Sequence, residues 1–358
     1  MTHILSKSTY LKGVKCKKAL YLNKYHKNLK DELTEAQKAI FSQGNKVGEL
    51  AQNLFPGGID ATPDTFYDYS NSLEQTKNAI TDGTSVIYEA AFQFEGVLCA
   101  VDILVRDGNM WNAYEVKSST SVKETHITDA SLQYHVMKNC GIEINDISIV
   151  VIDNSYQKHG HLEVDKLFKK ESVYDDVIKL QSSVQENIQE LKNVLSVREI
   201  PKELIGEKCF SPYNCDFMGH CWTDVPEYSI FNLANLKKKE AERLYHSGVT
   251  LITDLPYDHK LSASQAHQVQ SERDGSVIVN KKKGVLIDES YNSNPLSLRA
   301  SLNNLNNYAE NKSRKICILG DMLELGSKSN DFHEDIINDI LINKIDVVFT
   351  VGQYTKSI

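Results

Sequence analysis

The stretch that most constrains this chain runs from Val86 to Lys117. Three apolar runs rich in β-branched and aromatic residues follow one another there: Val86 to Phe94, Leu98 to Val105 and Met110 to Lys117. Asp107-Gly108-Asn109 between the last two is turn chemistry, so three consecutive strands are expected. The flanking periodicities supply their cover. From Leu33 to Leu54 apolar positions recur by fours and threes, and Pro56-Gly57-Gly58 stops the helix they imply. Ser72 followed by Gln75 reads as a capping box that opens a second helix ending near Asp82-Gly83. After the strands come a helix from Thr125 to Asn139, a short buried strand from Ile147 to Ile152, and a long helix. The long helix carries Val177, Leu180, Val184, Ile188, Leu191 and Leu195 on one stripe. The order is helix, three strands, helix, strand, helix.

Beyond Pro201 the texture changes. Gly206 to Trp222 is a compact loop with three cysteines. Helices are expected over Leu233 to Tyr245 and Ser262 to Gln270, which makes 223–270 a helical extension. Ser271 to Gly284, with Asp274-Gly275 and Lys281-Lys282-Lys283-Gly284, reads as a linker. From Val285 to Ile358 strand and helix alternate: Val285 to Asp288, Pro295 to Tyr308, Lys315 to Leu319, Asp331 to Leu341 and Asp346 to Val351. That alternation predicts a parallel α/β sheet. The expected segments are therefore 1–222, 223–270, 271–284 and 285–358.

Length supports more than one such piece, since 358 residues allow about two domains. With 41% hydrophobic and 25% charged residues the chain is neither collagen-like nor wholly disordered. A net charge of −8 excludes a protein that is basic all over, yet Met1 to Lys30 holds eight lysines and no acidic residue. Such an arm could follow a phosphate backbone or simply be solvated. No apolar run reaches the thickness of a bilayer and Met1 to Lys18 lacks an apolar signal core, so a cytoplasmic protein without a membrane partner is expected. In that reducing compartment, clustered cysteines hold metal more often than they form disulfides.

Glu115-Val116-Lys117 ends the third strand, and positions two apart share a face. Asp102 on the preceding strand joins that face if the hairpin turn spans two or four residues, and leaves it if the turn spans three. Glu89 on the first strand can complete an acidic pocket. Convergent carboxylates with a lysine suit Mg²⁺ or Mn²⁺ and phosphodiester hydrolysis, the lysine stabilising charge that builds on phosphorus. The competing reading is a solvated hairpin with an ordinary Glu and Lys.

Set in this element order, Asp102, Glu115 and Lys117, followed by Gln133-Tyr134 on the next helix, resemble the PD-(D/E)XK nuclease superfamily in its RecB-like branch. The resemblance implies a restriction-endonuclease-like α/β core, a mixed sheet flanked by helices. It implies catalytic roles for Asp102, Glu115, Lys117, Gln133, Tyr134 and Glu89. Asp102, Glu115 and Glu89 would hold the metal, Glu89 compensating for Gly48 where many members carry His. The implied activity is a Mg- or Mn-dependent DNA exonuclease acting on ends or single strands.

Cys209, Cys215 and Cys221 stand at C-x₅-C-x₅-C spacing, with Cys16 or His220 as a possible fourth ligand. One cysteine before this core and three after it resemble the iron–sulfur branch of those nucleases. There Cys16, Cys209, Cys215 and Cys221 would hold a [4Fe–4S] cluster. The run from Cys209 to Cys221 also resembles an uncharacterised bacterial family of RecB-type nucleases, over residues up to about Gln270. Cys99, Cys140 and Cys317 read as small core residues, and His159-Gly160-His161 as a polar loop.

The tail resembles something different. Ile287 to Pro295, Ile318 to Gly326, His333 and Phe349 to Gly352 are similar to the MurF family of ATP-dependent cell-wall ligases. The likeness implies a partial Rossmann-like fragment in which Asn292 and Asn294 help hold a nucleotide and Asp321 to Gly326 border the active site. No G-x-x-x-x-G-K-[ST] phosphate loop occurs in the 358 residues, so ligation by the tail alone is not expected. The leading expectation is thus a metal-dependent DNA nuclease with an iron–sulfur staple. The alternatives are an inactive nucleic-acid-binding remnant and a cell-wall ligase-related protein.

Overall fold

Hydrogen bonding between Val86 and Val116 builds the centre of a seven-stranded sheet. The computed structural model describes residues 4–63, 65, 68–275, 287–288, 294–308, 314–323 and 325–358. In chain order the sheet unit begins with strand β1 (Leu5–Ser6) and helices α1 (Lys7–Lys15), α2 (Lys17–Tyr25) and α3 (Glu35–Ala51). Strand β2 (Ile59–Asp60) and helix α4 (Ser70–Thr81) precede the three long strands β3 (Val86–Phe94), β4 (Val97–Asp107) and β5 (Met110–Val116). Helix α5 (Glu124–Asn139), strand β6 (Ile144–Ile152), the turn of helix α6 (Val164–Leu167) and strand β7 (Phe168–Ser172) follow. Helices α7 (Tyr174–Lys179) and α8 (Gln181–Ser196) close the layer.

The sheet is mixed and ordered β2-β3-β4-β5-β6-β7. Antiparallel pairs join β3, β4 and β5, whereas β5 and β6 run parallel across the α5 crossover. Strand β5 pairs only with the second half of β4, Ile103 to Asp107, and β1 lies parallel to its start at Val97 and Leu98. The chain's opening residues are therefore woven into the sheet. Strand β4 is a near-continuous apolar run because both its faces are covered. One core includes Leu20, Val101, Leu104, Trp111, Leu132, Ile149, Ile188 and Leu191; the opposite face buries Ala51, Tyr88, Ile103, Val150 and Phe168. Gly13 permits the close approach of α1 to α8, since a Cβ there would stand 2.7 Å from the Leu191 methyls.

The cysteine loop contains the single turn α9 (Met218–Cys221), and the extension carries α10 (Lys238–His246) and α11 (Ala263–Asp274). Ile230, Leu233, Leu244, Val249, Ile252, Leu255 and Val269 form a small core of their own. Helix α11 runs through the start of the expected linker and ends at Gly275 with φ 69°; the remainder, 276–284, lies outside the described residues. Compactness divides the chain at the same place, into 1–275 and 276–358. The second unit contains α12 (Pro295–Tyr308), β8 (Ile316–Gly320), α13 (Ser329–Ile342) and β9 (Val347–Val351), with β8 and β9 parallel. Of the strand expected from Val285 to Asp288, the first two residues lie outside the described residues, and Ile287 and Asp288 are not in a strand.

Several expectations change. Ser72 is not a cap: it lies inside α4, buried, and its hydroxyl donates to the Ala61 carbonyl. The single long helix is two, broken at Leu180, and β7 was not foreseen because only Phe168 in it is buried. Cys140 is exposed at the end of α5, while Cys99 and Cys317 are buried as expected. His159 and His161 are exposed in an irregular segment.

Candidate functional site

The hairpin turn between β4 and β5 spans two residues, with Asp107 paired to Met110. Continued along the strands, that register sets Asp102 opposite Glu115, so the conditional step in the sequence argument resolves in favour of a shared face. Asp102 Oδ2 accepts from the Val116 amide at 2.6 Å, where β5 leaves the β4 ladder. Glu89, on β3, is held at φ 52°, a left-handed conformation rare for a residue with a side chain and concentrated at functional positions.

Glu115 is 1% exposed and surrounded by donors. Lys7 Nζ lies 2.9 and 3.1 Å from its two carboxylate oxygens. Lys117 Nζ donates to Oε1, and Gln133 Nε2 donates to Oε2 at 2.6 Å. Lys117 also reaches Asp129 Oδ2 at 2.7 Å, and Lys7 stands 3.9 Å from that same oxygen. Burial alone would raise the Glu115 carboxyl, but the Lys117 and Lys7 ammoniums outweigh it and hold it well below the usual carboxylate range. Burial would lower Lys7 and Lys117, yet the neighbouring carboxylates raise both. Glu89 and Asp102 go the other way. Burial, reinforced by the repulsion of Asp102, pushes Glu89 up to about 8. Burial and Glu115 push Asp102 up to about 6.

Of the expected residues, Glu115, Lys117 and Gln133 meet directly, Asp102 stands beside them, and Glu89 is near enough to feel their charge. Tyr134 does not join them: it packs edge-on against Tyr174 at 5.9 Å. Two members were missed. Asp129 precedes Gln133 by four residues on α5, a spacing the sequence displayed. Lys7 had no local signal, because the β1–β4 pairing places it across 108 residues of chain.

These side chains do not fit Mg²⁺ or Mn²⁺ as they stand. A carboxylate offers about four lone-pair sites, and those of Glu115 already receive Lys7 on both oxygens, Lys117 and Gln133. Among the described residues no three His, Cys, Asp or Glu side chains converge closely enough to hold an ion.

The lysine arm is likewise committed inside the unit. Lys12 and Lys30 pair with Asp216, Lys15 donates to the Tyr213 carbonyl and lies over its ring, and Lys17 pairs with Glu190. The Lys12 and Lys15 contacts dock α1 on the cysteine loop, and Lys17 ties α2 to α8. Cys16, Cys209, Cys215 and Cys221 line one cavity of about 20 Å³ together with Ala19, Phe217 and Trp222. His220 is exposed and Cys16 is the fourth cysteine at the cavity, so the thiols of two distant chain segments share one space. All four are free, and burial pushes the Cys16 and Cys215 thiols up.

In the second unit, Asp321 follows β8 and accepts from three amides: Gln353 at 2.7 Å, Tyr354 at 3.0 Å and Thr355 at 2.9 Å. Gly352 (φ 140°) is required there, because a Cβ would stand 2.2 Å from that carboxylate. The buried His333 accepts from the Met322 amide through Nε2 at 2.9 Å, so its Nδ1 donates to the Ser329 carbonyl at 2.6 Å. Asn294 caps α12, its side-chain oxygen accepting from Leu296 and Ser297. Asn292 lies outside the described residues.

Comparisons with known proteins reach this second unit. Residues 276–357 match the family model described as Mur ligase, glutamate ligase domain. The UDP-N-acetylmuramoyl-tripeptide–D-alanyl-D-alanine ligase of Rickettsia prowazekii is 36% identical over 115 residues, 32% of this chain and 25% of its own length. The Bacillus subtilis enzyme of the same name is 40% identical over 68 residues, 19% of this chain and 15% of its own. The crystal structure of SSO0001 aligns over 61% of this chain and 85% of its own at a TM-score of 0.30 and 12% identity, too slight a likeness to carry a fold assignment. The chain spans about a quarter or less of the curated ligases it matches.

These matches overturn the leading functional expectation. The family model and the curated relatives are ligases, and no nuclease stands among them, so the DNA exonuclease reading, its DNA partner and the iron–sulfur-nuclease description are withdrawn. The side chains offer a physical reason: most of the lysines expected to track phosphates are spent on internal acceptors, and Glu115 is saturated. Among the described residues no helix is long and apolar enough to cross a membrane. The match to the Mur ligase family model covers residues 276–357, less than half of the chain, and is a likeness of that unit.

Proposed function

We propose that this chain is a cell-wall ligase-related protein, its second unit contributing the C-terminal-domain share of a site for D-alanyl-D-alanine addition to a UDP-N-acetylmuramoyl-tripeptide. The observation that carries this reading is the match of 276–357 to the Mur ligase domain, together with relatives named for that reaction. The Asp321 and His333 contacts support it as a folded unit, since they fix the loop after β8 against the segment after β9. The 358 residues contain no G-x-x-x-x-G-K-[ST] loop, so binding rather than turnover is the decisive measurement. Calorimetry of the full chain should give saturable binding of ATP or of the UDP-linked tripeptide. Absence of binding for both, alone and together, would overturn the reading.

We infer a second function for the four cysteines: a thiolate site for a thiophilic metal group, tying α2 to the loop from Glu203 to Trp222. Support comes from the cavity that Cys16, Cys209, Cys215 and Cys221 line together; the four soft donors suit such a group once it draws them to ligating distance, which they do not hold among the described residues. Metal analysis of anaerobically purified protein should find stoichiometric zinc or iron, lost in Cys215→Ser. Four thiols that react freely in metal-free, folded protein would refute it.

A further inference from the structure

The misfit between the carboxylate centre and a divalent cation has a specific cause, Lys7. Ser6 pairs with Leu98 across β1 and β4 and also caps α1, accepting from the Thr9 amide. Lys7 is the first residue of that helix, so its direction is fixed from both sides. Its ammonium then meets both oxygens of Glu115, 2.9 and 3.1 Å away, as a bidentate hard cation would. Glu115 and Asp129 contact both ammoniums, Lys7 and Lys117, and the charges of Asp102 on both and of Glu89 on Lys7 are felt there. Two acceptors remain open: Asp129 Oδ1 and Gln133 Oε1, on residues 2% and 0% exposed, have no hydrogen-bond partner among the described residues. A buried acceptor without a donor is costly and points to a missing ligand.

We propose that Lys7 is a built-in counter-cation, occupying the place of a hard divalent ion and excluding Mg²⁺ and Mn²⁺ while α1 is docked. Removing Lys7 frees both Glu115 oxygens from one donor and leaves Lys117 as the ammonium bonded to Glu115 and Asp129 among the described residues. This inference does not rest on the ligase reading. Its failure would leave ligand binding by the second unit untouched.

The test is an Mn²⁺ titration followed by electron paramagnetic resonance on the full chain and its Lys7→Met and Lys7→Arg variants. Lys7→Met should take up one Mn²⁺ at least about tenfold more tightly than the unaltered chain, as expected when a buried competing charge is removed. Lys7→Arg, which keeps the charge, should behave like the unaltered chain, and adding Asp102→Asn to Lys7→Met should abolish the gain. Folded Lys7→Met protein that binds no better would overturn the proposal. So would tight one-site binding by the unaltered chain that Asp102→Asn removes, a result that does not depend on whether Lys7→Met folds.

Discussion

The two units each hold a polar cluster next to a parallel strand pair, and the clusters are built on opposite principles. Around Glu115 the charges are compressed: like charges are close, Glu89 has a strained backbone, and two buried oxygens have no donor. Around Asp321 the amides of Gln353, Tyr354 and Thr355 answer one carboxylate, and both nitrogens of His333 are used. Tension of the first kind is what a fold tolerates where something binds or switches, whereas satisfaction of the second kind stabilises a loop. Sequence likeness marked both as active-site neighbourhoods. In the second cluster the Asp321 carboxylate ties the loop after β8 to the segment after β9.

The largest effect should come from breaking the first cluster. Glu115→Ala strands the Lys7 and Lys117 ammoniums against each other in a buried site, and should cost about 3–5 kcal/mol. Urea unfolding of the sheet unit measures it. A cost below about 1 kcal/mol would mean the cluster is solvated rather than buried.

Asp321→Ala should cost less, because it leaves amides that water can reach rather than whole charges unsatisfied. Hydrogen exchange is the appropriate measurement: protection at 353–355 should fall while the core of the first unit is unchanged. Loss of protection in both units would contradict their division at 275.

The same contrast appears in pH dependence. Glu89 is raised from 4.5 to about 8, so the folded state holds that proton more tightly than the unfolded chain does. Its contribution is complete below pH 4.5 and is lost as pH rises through about 8. Asp102, raised from 3.8 to about 6, acts in the same direction. Glu115, held low by Lys117 and Lys7, acts in the opposite one, its contribution disappearing as acid protonates it below the usual carboxylate range. Stability of the first unit should therefore fall at both ends, and Glu89→Gln should flatten only the alkaline side. An unchanged alkaline limb in Glu89→Gln would show that another group titrates there.

Much of this architecture was legible locally. Strand β3 and a turn after β4 follow from apolar runs and Asp107-Gly108-Asn109, its two-residue length does not, and α12 was bounded by Pro295. Glu115 and Lys117 were found because strand periodicity places them on one face, whereas Gln133 came only from a family resemblance. The unread parts depend on distant pairing: Lys7 reaches the site through a two-residue strand, and Ser72 has the residues of a cap but sits where α4 meets Ala61. Electrostatic neighbours across 108 residues leave no local pattern.

The smallest effect tests what separates the two sheets. The first is apolar and covered on both faces. In the second, Ile316 and Ile318 of β8 and Phe349 and Val351 of β9 share one face through their register, and that face is open, with Ile318 70% and Phe349 57% exposed. Parallel sheets are ordinarily covered on both sides. A side chain already in water loses little when made polar, so Phe349→Ser should change stability by no more than about 0.5 kcal/mol. The buried counterpart in this unit, Ile336→Ala, should cost about 2–5 kcal/mol. If Phe349→Ser instead destabilises by as much as Ile336→Ala, the face is covered in solution and the contrast between the sheets disappears; thermal unfolding of the two variants side by side decides between these outcomes.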